Sequence, residues 1–473
     1  MGRRGVTQFL LDHADIKPVS FHMPGHKGSD IYRRYGYDAF LENFIDCDIT
    51  EIPGADNLFQ TEGVIKDTAE KYRRLYDVKK SYLLINGTSG GLIASVLATV
   101  PQGKKLVMAR NCHKSVFNAL TLGGIEPVYA YPSMIEEYGI SGQILPEEIE
   151  RCLLENQDAA AVILPSPNYY GICSDIKAIA DVVHSYGKVL IVDQAHGAHL
   201  KFMPGEPLAA EECGADIVVN STHKTLVSFT QSAVLNLNSD RVAQYALEDK
   251  LQAIQSTSPS YLLMASLDIN ADILEAHGDE LFTAWQNNIE NFYAKAAAVP
   301  GLKLMEVPGA MDKTKINIDM SCYGIDGNHL EEILMEKGIY SELVTGNILM
   351  CMTGIGNAES DFVRLLEALE EIAKRSKAGA EGGKELNEDG AALWMKRRAL
   401  HKLPEKKQQV SLDESEGLIC ASSIIPYPPG IPFICPGEAI GREDIEYIKL
   451  LRGRGEKVIG VDENMCVVVG KEG

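Results

Sequence analysis

Lys224 is the residue whose type and position most clearly suggest covalent chemistry. It closes the tetrapeptide STHK (221–224), which follows the apolar run ADIVVN (215–220), a predicted buried strand. An amine that is partly desolvated at a strand end has a lowered pKa and can react with an aldehyde. A lysine in an isolated THK sequence is more often a surface charge, so the residues around it must decide.

An acidic residue ends another apolar run. The stretch VLIVDQAHGAH (189–199) places Asp193 at a predicted strand end, the edge where α/β proteins bind ligands. Asp193 could pair with a cationic ring nitrogen of a cofactor. It could also join His196, His199 and His223 in a metal site, because all are competent ligands. A strand-end aspartate can equally be a helix cap.

A glycine-rich turn supplies a candidate anion site. The segment INGTSGG (85–91) stands where a strand should end and a helix begin, and contains Gly87, Thr88 and Ser89. Backbone N–H groups and hydroxyls at a helix N-terminus bind phosphate well. The same residues could be only an N-cap and an easy turn. The segment matches neither the P-loop nor the G-x-G-x-x-G pattern, so it predicts no nucleotide.

A further histidine is a candidate for contact with an aromatic ring. His113, in RNCHKS (110–115), opens another strand–helix junction, where a neutral imidazole could lie against an aromatic ring. Pyridoxal phosphate needs an anchored phosphate, a stacked ring, a counter-ion for its pyridine nitrogen and an amine for its aldehyde. Candidates for all four come in one predicted domain: Thr88 and Ser89, His113, Asp193, and Lys224. A metal site would not explain the lysine or the phosphate turn.

The elements that must position these residues form a regular alternation of strands and helices. The predicted strands, nearly all apolar as expected for strands covered on both faces, are 81–85, 105–109, 127–131, 160–165, 188–193 and 216–220. Helical patterns occupy 90–99, 114–122, 146–155 and 175–186. This order predicts a doubly wound α/β domain with a mostly parallel sheet.

The remaining chain predicts further domains. After an N-terminal segment (1–30) and the large α/β domain (31–262), strand and helix patterns indicate a smaller α+β domain over 263–376. A Gly-rich, charged stretch over 377–392 is typical of a linker. A C-terminal α+β domain follows over 393–473.

Composition narrows the possible partners. Of 473 residues, 45% are hydrophobic and 23% charged, as in an ordinary globular protein, and the net charge is −21. Such a charge disfavours nucleic acid and anionic membranes and suits a small cationic ligand. The ten cysteines form no C-x-x-C pair, and neither a targeting signal nor a membrane-spanning run is evident, so we expect a cytoplasmic protein.

Several motifs together resemble one family. They are FHMPGHKG (21–28), NGTSGG (86–91), RNCHKS (110–115), STHK (221–224), STSPSY (256–261) and PYPPGIPFICPGE (426–438). These resemble the bacterial-type ornithine/lysine/arginine decarboxylases, which have the aspartate-aminotransferase-like fold around a seven-stranded, mostly parallel sheet. PGHKG lies close to the first residue, whereas the large inducible members begin with a wing domain. The sequence therefore resembles the short, biosynthetic branch, as the stretch DQAHGAH also does.

The resemblance implies roles for the candidate residues. Lys224 would hold pyridoxal phosphate, His113 would stack on it, and Asp193 would pair with its ring nitrogen. The phosphate or its surroundings would be lined by Gly87, Thr88, Ser89, Ala195, His196, Ser221 and His223. Thr257 or Ser258 would reach the phosphate of a neighbouring subunit, which implies a homodimer or a higher homo-oligomer with shared sites.

A dibasic substrate also needs an acidic partner, since a buried cation requires one. The resemblance favours Glu438 in CPGE, although this residue could simply begin a helix. Asp48, Glu51 and Asp56 are alternatives. Similarity to short biosynthetic members favours arginine, decarboxylated to agmatine for polyamine biosynthesis, while lysine and ornithine stay open.

Other reaction classes also remain open. An aminotransferase or an aldolase could use the same scaffold. An aminotransferase usually needs an arginine for the substrate carboxylate. Arg364 could serve, or could be only a surface charge on the helical pattern 360–376.

Overall fold

The computed structural model describes residues 5–205, 208–307, 309–375, 396–401, 403–404, 406–427 and 431–471. The predicted linker 377–392 and the first residues of the predicted C-terminal domain lie outside these ranges. Within them, no helix is long and apolar enough to cross a membrane.

The described helices follow in chain order. They are α1 (Val6–Ile16), α2 (Asp30–Arg34), α3 (Asp38–Glu42), α4 (Val64–Tyr76), α5 (Gly87–Thr99), α6 (Lys114–Gly123), α7 (Pro146–Glu155), α8 (Ile176–Ser185), α9 (Thr222–Thr225), α10 (Gln244–Ile254), α11 (Tyr261–Ala296), α12 (Gly327–Glu336), α13 (Glu359–Arg375) and α14 (Arg442–Gly453). Short 3₁₀ turns occupy Ser321–Tyr323 and Leu412–Glu414.

The described strands are likewise numbered in chain order. They are β1 (Val19–Ser20), β2 (Lys80–Leu84), β3 (Lys105–Ala109), β4 (Glu126–Ala130), β5 (Met134–Ile135), β6 (Ile140–Ser141), β7 (Ala159–Pro165), β8 (Val189–Asp193), β9 (Ile217–Asn220), β10 (Ala233–Leu237), β11 (Lys303–Leu304), β12 (Lys315–Asp319), β13 (Ile339–Tyr340), β14 (Leu343–Thr345), β15 (Ile348–Met352), β16 (Lys407–Ser411), β17 (Ile425–Tyr427), β18 (Lys457–Ile459) and β19 (Cys466–Gly470).

The largest sheet has seven strands in the order β2-β10-β9-β8-β7-β3-β4. β3 runs parallel to β4 and β7, whereas β10 runs antiparallel to β2 and β9. Every residue of β9 and β10 is buried, as the apolar sequence of a strand covered on both faces requires. This sheet confirms the predicted α/β fold class.

Two compact units divide the chain. The first comprises Met1–Gly91, Ser166–Lys177 and Val192–Lys384, and the second comprises Leu92–Pro165, Ala178–Ile191 and Glu385–Gly473. The predicted domain boundaries remain predictions.

In the first unit, the 36-residue helix α11 buries one side against an apolar core. Phe282, Trp285 and Phe292 of α11 pack there with strands β12 and β15, whose residues are all buried. The sheet of this region has the order β11-β12-β15-β14, and α12 and α13 contribute Leu330, Leu334 and Leu365 to the same core. This core positions the loop before β12.

In the second unit, the C-terminal part has a core of its own. Strands β16 and β19 form one antiparallel pair, and β17 and β18 form another. Helix α14 packs Ile445, Ile448 and Leu451 into this core, where they meet Phe433 and Val467. The segment that carries Glu438 belongs to this part of the chain.

Candidate active site

Lys224 lies in the short helix α9, directly after β9. Its backbone N–H donates to Ser221 O at 3.1 Å, and its Nζ lies 2.9 Å from His196 Nε2. Burial lowers the pKa of Lys224, the charges of Asp193 and Glu342 raise it, and Lys315 lowers it. Because burial prevails, this amine loses its proton more readily than a solvent-exposed lysine does.

Asp193 is the last residue of β8 and is buried. Ala195 N donates to Asp193 Oδ1 at 3.1 Å. Burial raises the pKa of Asp193, while the nearby Lys224 ammonium and the Ala195 N–H oppose the increase. The structure thus brings Asp193 and Lys224 together, and a buried carboxylate of this kind is stabilised by a cationic partner.

The glycine-rich turn forms the beginning of α5. Gly87 has φ +64°, and a Cβ at Gly91 would lie 2.6 Å from Leu84 Cδ1, so the helix packs directly on the sheet. Thr88 Oγ1 lies 3.2 Å from Ser221 Oγ. Two hydroxyls therefore meet beside the N-terminus of a 13-residue helix, an arrangement suited to an anion.

His223 and His196 have different environments. His223 Nδ1 donates to Ser232 O at 2.7 Å, and burial lowers the pKa of His223 to about 4, so its ring is neutral at pH 7. His196 follows Ala195 in the turn after β8, and its ring centroid lies 4.5 Å from that of Tyr169. Among the described residues, no group of three or more His, Cys, Asp or Glu side chains is arranged to hold a metal ion.

Two residues near Lys224 were not apparent from the sequence. Tyr169 donates its hydroxyl to Glu342 Oε1 at 2.9 Å, and Glu342 Oε2 accepts from Met23 N at 2.9 Å. The charge of Glu342 also acts on Lys224. An acid in the short stretch SELV gives no pattern by which sequence reasoning could select it.

The motif FHMPGHKG packs against the helix that carries Lys224. Gly25 N donates to His223 O at 2.7 Å, and a Cβ at Gly25 would lie 2.4 Å from Thr225 C. Lys27 donates to His22 O at 2.5 Å and to Met352 O at 3.1 Å, and burial lowers its pKa to about 7. Only glycine allows the two backbones to approach so closely.

For other predicted site residues, the structure gives only their local surroundings. Thr257 and Ser258 are exposed in the loop between α10 and α11. His113 belongs to the second unit, where it caps α6 and its Nδ1 lies 2.9 Å from Ser115 Oγ. Their predicted contacts with a cofactor therefore stay predictions. Arg364, the conceivable carboxylate-binding arginine, is exposed and donates to Lys337 O at 3.2 Å.

Glu438 already has a cationic partner within the second unit. Its side chain is fully buried, and its two carboxylate oxygens accept from Arg110 Nε at 3.1 Å and Arg110 Nη2 at 3.0 Å. Cys435 N also donates to Glu438 at 2.8 Å. A substrate cation bound by Glu438 would have to share or replace this pairing with Arg110, and the distal-group role of Glu438 stays a prediction.

The three alternative acids for the distal cation have different surroundings. Asp56 accepts from the backbone N–H groups of Glu62, Gly63 and Ile65 and thereby fixes the approach to α4. Burial raises the pKa of Asp56, but backbone N–H groups that include those of Glu62 and Gly63 prevail and hold it below its usual value. Asp48 and Glu51 are exposed. Asp56 is therefore a structural carboxylate.

Comparison with solved structures places this fold among the pyridoxal-phosphate enzymes of fold type I. A lysine decarboxylase from Francisella novicida superposes with a TM-score of 0.80 and 20% identity, covering 94% of this chain and 78% of the other. The model of the Orn/Lys/Arg decarboxylase major domain matches residues 5–298, and that of the C-terminal domain matches residues 388–470. The chain belongs to the Orn/Lys/Arg decarboxylase family, and it is a pyridoxal-phosphate-dependent decarboxylase of basic amino acids.

Two curated relatives define the similarity further. An arginine decarboxylase from Bacillus subtilis is 33% identical over 465 residues, covering 93% of this chain and 91% of the relative. The constitutive lysine decarboxylase of Escherichia coli is 22% identical over 564 residues, covering 97% of this chain and 79% of the relative.

The residues of the first unit fit pyridoxal phosphate. The buried carboxylate of Asp193 suits a protonated ring nitrogen, and the hydroxyls of Thr88 and Ser221 at the start of α5 suit a phosphate. The partly desolvated amine of Lys224 suits an aldehyde.

Proposed function

We propose that this chain converts L-arginine into agmatine and carbon dioxide, as a step towards polyamines, with pyridoxal phosphate attached to Lys224. The observation that carries the site is the buried amine of Lys224 beside the buried carboxylate of Asp193. The relative with the higher identity, named arginine decarboxylase, favours arginine over lysine.

The cofactor supplies an electron sink that takes up the electron pair released when the substrate loses carbon dioxide. Asp193 would hold the proton on the ring nitrogen, and His113 would stack on the ring. The start of α5, with Gly87, Thr88 and Ser89, would bind the phosphate together with the hydroxyl of Ser221.

Other residues would prepare Lys224 for its part in the reaction. His196 Nε2 lies 2.9 Å from Lys224 Nζ, so it can exchange a proton with the amine. The turn at Ala195 fixes Asp193, and neutral His223 would contribute to the phosphate surroundings without adding charge.

The substrate needs a carboxylate for its distal cation. Glu438 remains the proposal from family resemblance, although Arg110 occupies it. Glu342 is the stronger candidate on structural grounds. Its charge raises the pKa of Lys224, and the hydroxyl of Tyr169 holds one of its carboxylate oxygens in place. If Glu342 binds the guanidinium, Glu342→Gln will raise KM for arginine, whereas unchanged KM would return the role to Glu438.

The deciding experiment supplies the purified full-length protein and pyridoxal phosphate separately with arginine, lysine and ornithine. Mass spectrometry then identifies the product. We expect agmatine from arginine as the dominant product. A dominant diamine would instead identify lysine or ornithine as the preferred substrate.

We also propose a homodimer, or a higher homo-oligomer, with shared sites. Exposed Thr257 and Ser258 would reach the phosphate bound by a neighbouring subunit. A cytoplasmic location stays a prediction from the cysteine pattern.

A further inference from the structure

A buried cluster of three titratable side chains lies next to the candidate site, within the first unit. Asp312 Oδ2 lies 2.6 Å from Lys315 Nζ and 3.1 Å from His199 Nε2. The side chains of His199 and Lys315 are 0% exposed and that of Asp312 is 3% exposed. The proposed reaction, as derived above, uses none of these residues.

Burial and neighbouring charges set the protonation states of Asp312 and His199. Burial raises the pKa of Asp312, but Lys315 and His199 lower it further, to well below its usual range. Asp312 is therefore an anion. Burial lowers the pKa of His199 against the attraction of Asp312, so the ring is neutral at pH 7. His199 Nε2 then donates to Asp312, and His199 Nδ1 accepts from Thr225 Oγ1 at 3.1 Å.

The cluster reaches Lys224 by two routes. Lys315 Nζ donates to His196 O, and His196 Nε2 lies 2.9 Å from Lys224 Nζ. On the other route, His199 binds the hydroxyl of Thr225, the residue directly after Lys224 in α9. The loop before β12 is thus linked both to the turn after Asp193 and to the helix of Lys224.

We propose that His199, Asp312 and Lys315 form a positioning triad that holds the amine of Lys224 ready for attachment of the cofactor, an inference that rests on the proposed role of Lys224. Attachment joins Lys224 Nζ to the aldehyde carbon and releases one water, and it requires the uncharged amine. The triad acts through His196 and Thr225 and touches neither substrate nor cofactor.

The charges around Lys224 determine how a change in the triad should shift the protonation of Lys224. Asp193 and Glu342 favour the ammonium form of Lys224, and Lys315 disfavours it. The other titratable groups that sense Asp312 include Cys173 and Tyr293, in which burial raises the pKa, so both are neutral at pH 7. Asp312 therefore acts through its ion pair with Lys315, the residue whose charge disfavours the ammonium form of Lys224.

The experiment measures how fast pyridoxal phosphate attaches to cofactor-free, full-length protein as pH is varied. Borohydride reduction traps the product, and mass spectrometry of the Lys224 peptide quantifies it. Lys315→Met removes a positive charge and leaves Asp312 unbalanced, so the midpoint of the pH profile should rise. Below the midpoint, the rate falls about tenfold for each unit of that rise.

Two further variants complete the test. Asp312→Asn leaves Lys315 unbalanced, so the midpoint should move downward. Lys313→Met makes the same change as Lys315→Met two residues away, at a side chain that is 57% exposed, and should leave the profile unchanged. If Lys315→Met does not fold, Lys315→Gln replaces it, because glutamine removes the charge and keeps a donor for His196 O.

The outcomes are separable. A merely structural role would lower the rate at every pH without moving the midpoint. Midpoints that stay fixed, or that move in the same direction in the Lys315 and Asp312 variants, would overturn the positioning triad. A wild-type protein that attaches no cofactor at Lys224 would instead overturn the proposed function.

Discussion

At the scale of single residues, burial and charge oppose each other at Asp193. Its carboxylate is exposed by only 6%, and burial raises its pKa. Holding such a group in a charged form costs stability unless a cation faces it. The proposed pairing with a cationic cofactor therefore explains a buried carboxylate here better than a contribution to folding does.

Asp193→Asn separates these two effects. Asparagine keeps an oxygen for Ala195 N but removes the negative charge, so we expect kcat for arginine to fall roughly 100-fold. Thermal unfolding of the cofactor-free protein should show unchanged or increased stability, because a buried charge is lost. Steady-state kinetics and calorimetry measure both quantities.

Asp240→Asn is the matched control, because the side chain of Asp240 is 93% exposed. It should alter neither kcat nor the unfolding temperature. An Asp193→Asn protein with normal kcat would remove Asp193 from the proposed reaction.

The sequence made Lys224 and Asp193 predictable because Asp193 ends an apolar strand and Lys224 comes shortly after another. It could not reveal the partner of Glu438, because Arg110 lies 328 residues away along the chain. Lys315 was equally hidden, since KINID looks like an ordinary strand beginning with a surface lysine. Tertiary packing alone brings Lys315 next to Asp312 and His196.

At the scale of elements, the segment 21–28 packs against the helix of Lys224, although it lies far from Lys224 along the chain. Gly25 contacts the backbone of α9, and Lys27 ties the segment to Met352 at the end of β15. The segment therefore links the lysine helix to the smaller sheet of the same unit.

Gly25→Ala tests this close approach. The added methyl group would lie 2.4 Å from Thr225 C and 2.5 Å from Leu226 O, both backbone atoms that cannot rotate away. We expect a loss of about 1–3 kcal/mol in the free energy of unfolding, together with slower cofactor attachment. Chemical denaturation and the attachment assay measure these effects.

Gly5→Ala provides the comparison, since a Cβ at Gly5 meets no atom within 4 Å. It should behave like the wild type. Wild-type stability in Gly25→Ala would show that α9 and the segment 21–28 can separate freely.

Several element boundaries were readable from the sequence, whereas helices α4 and α10 and strand β10 were not predicted. The predicted strand 105–109 and helix 146–155 coincide with β3 and α7. Strand β10 was not predicted, because AVLNL is short and contains Asn236. In the structure, Asn236 binds Ser81 and Glu211, which lie 155 and 25 residues away, so its burial depends on contacts that the local sequence does not contain.

At the scale of the whole molecule, the proposed sharing of sites between subunits can be tested by mixing two variant subunits. Lys224→Ala subunits are mixed with subunits carrying both Thr257→Ala and Ser258→Ala. In a two-fold dimer, each mixed dimer contains one site with neither defect. We expect about a quarter of wild-type activity after random 1:1 exchange of two inactive proteins.

Native mass spectrometry confirms that mixed dimers have formed, and each protein refolded with itself is the control. Mixed dimers that stay inactive would show that Thr257 and Ser258 do not serve the neighbouring site. The family resemblance suggested this arrangement, whereas a single chain offers only the exposure of the two residues.

The position of Trp285 gives the positioning triad an optical readout of its own. Its indole N–H donates to Thr353 Oγ1 at 2.9 Å, and its ring centroid lies 5.1 Å from that of His199. The chain has only two tryptophans, and the other, Trp394, lies outside the described residues. A protonated imidazole quenches the fluorescence of a neighbouring indole. In a Trp394→Phe variant, tryptophan emission would therefore report the protonation of buried His199 without any added label.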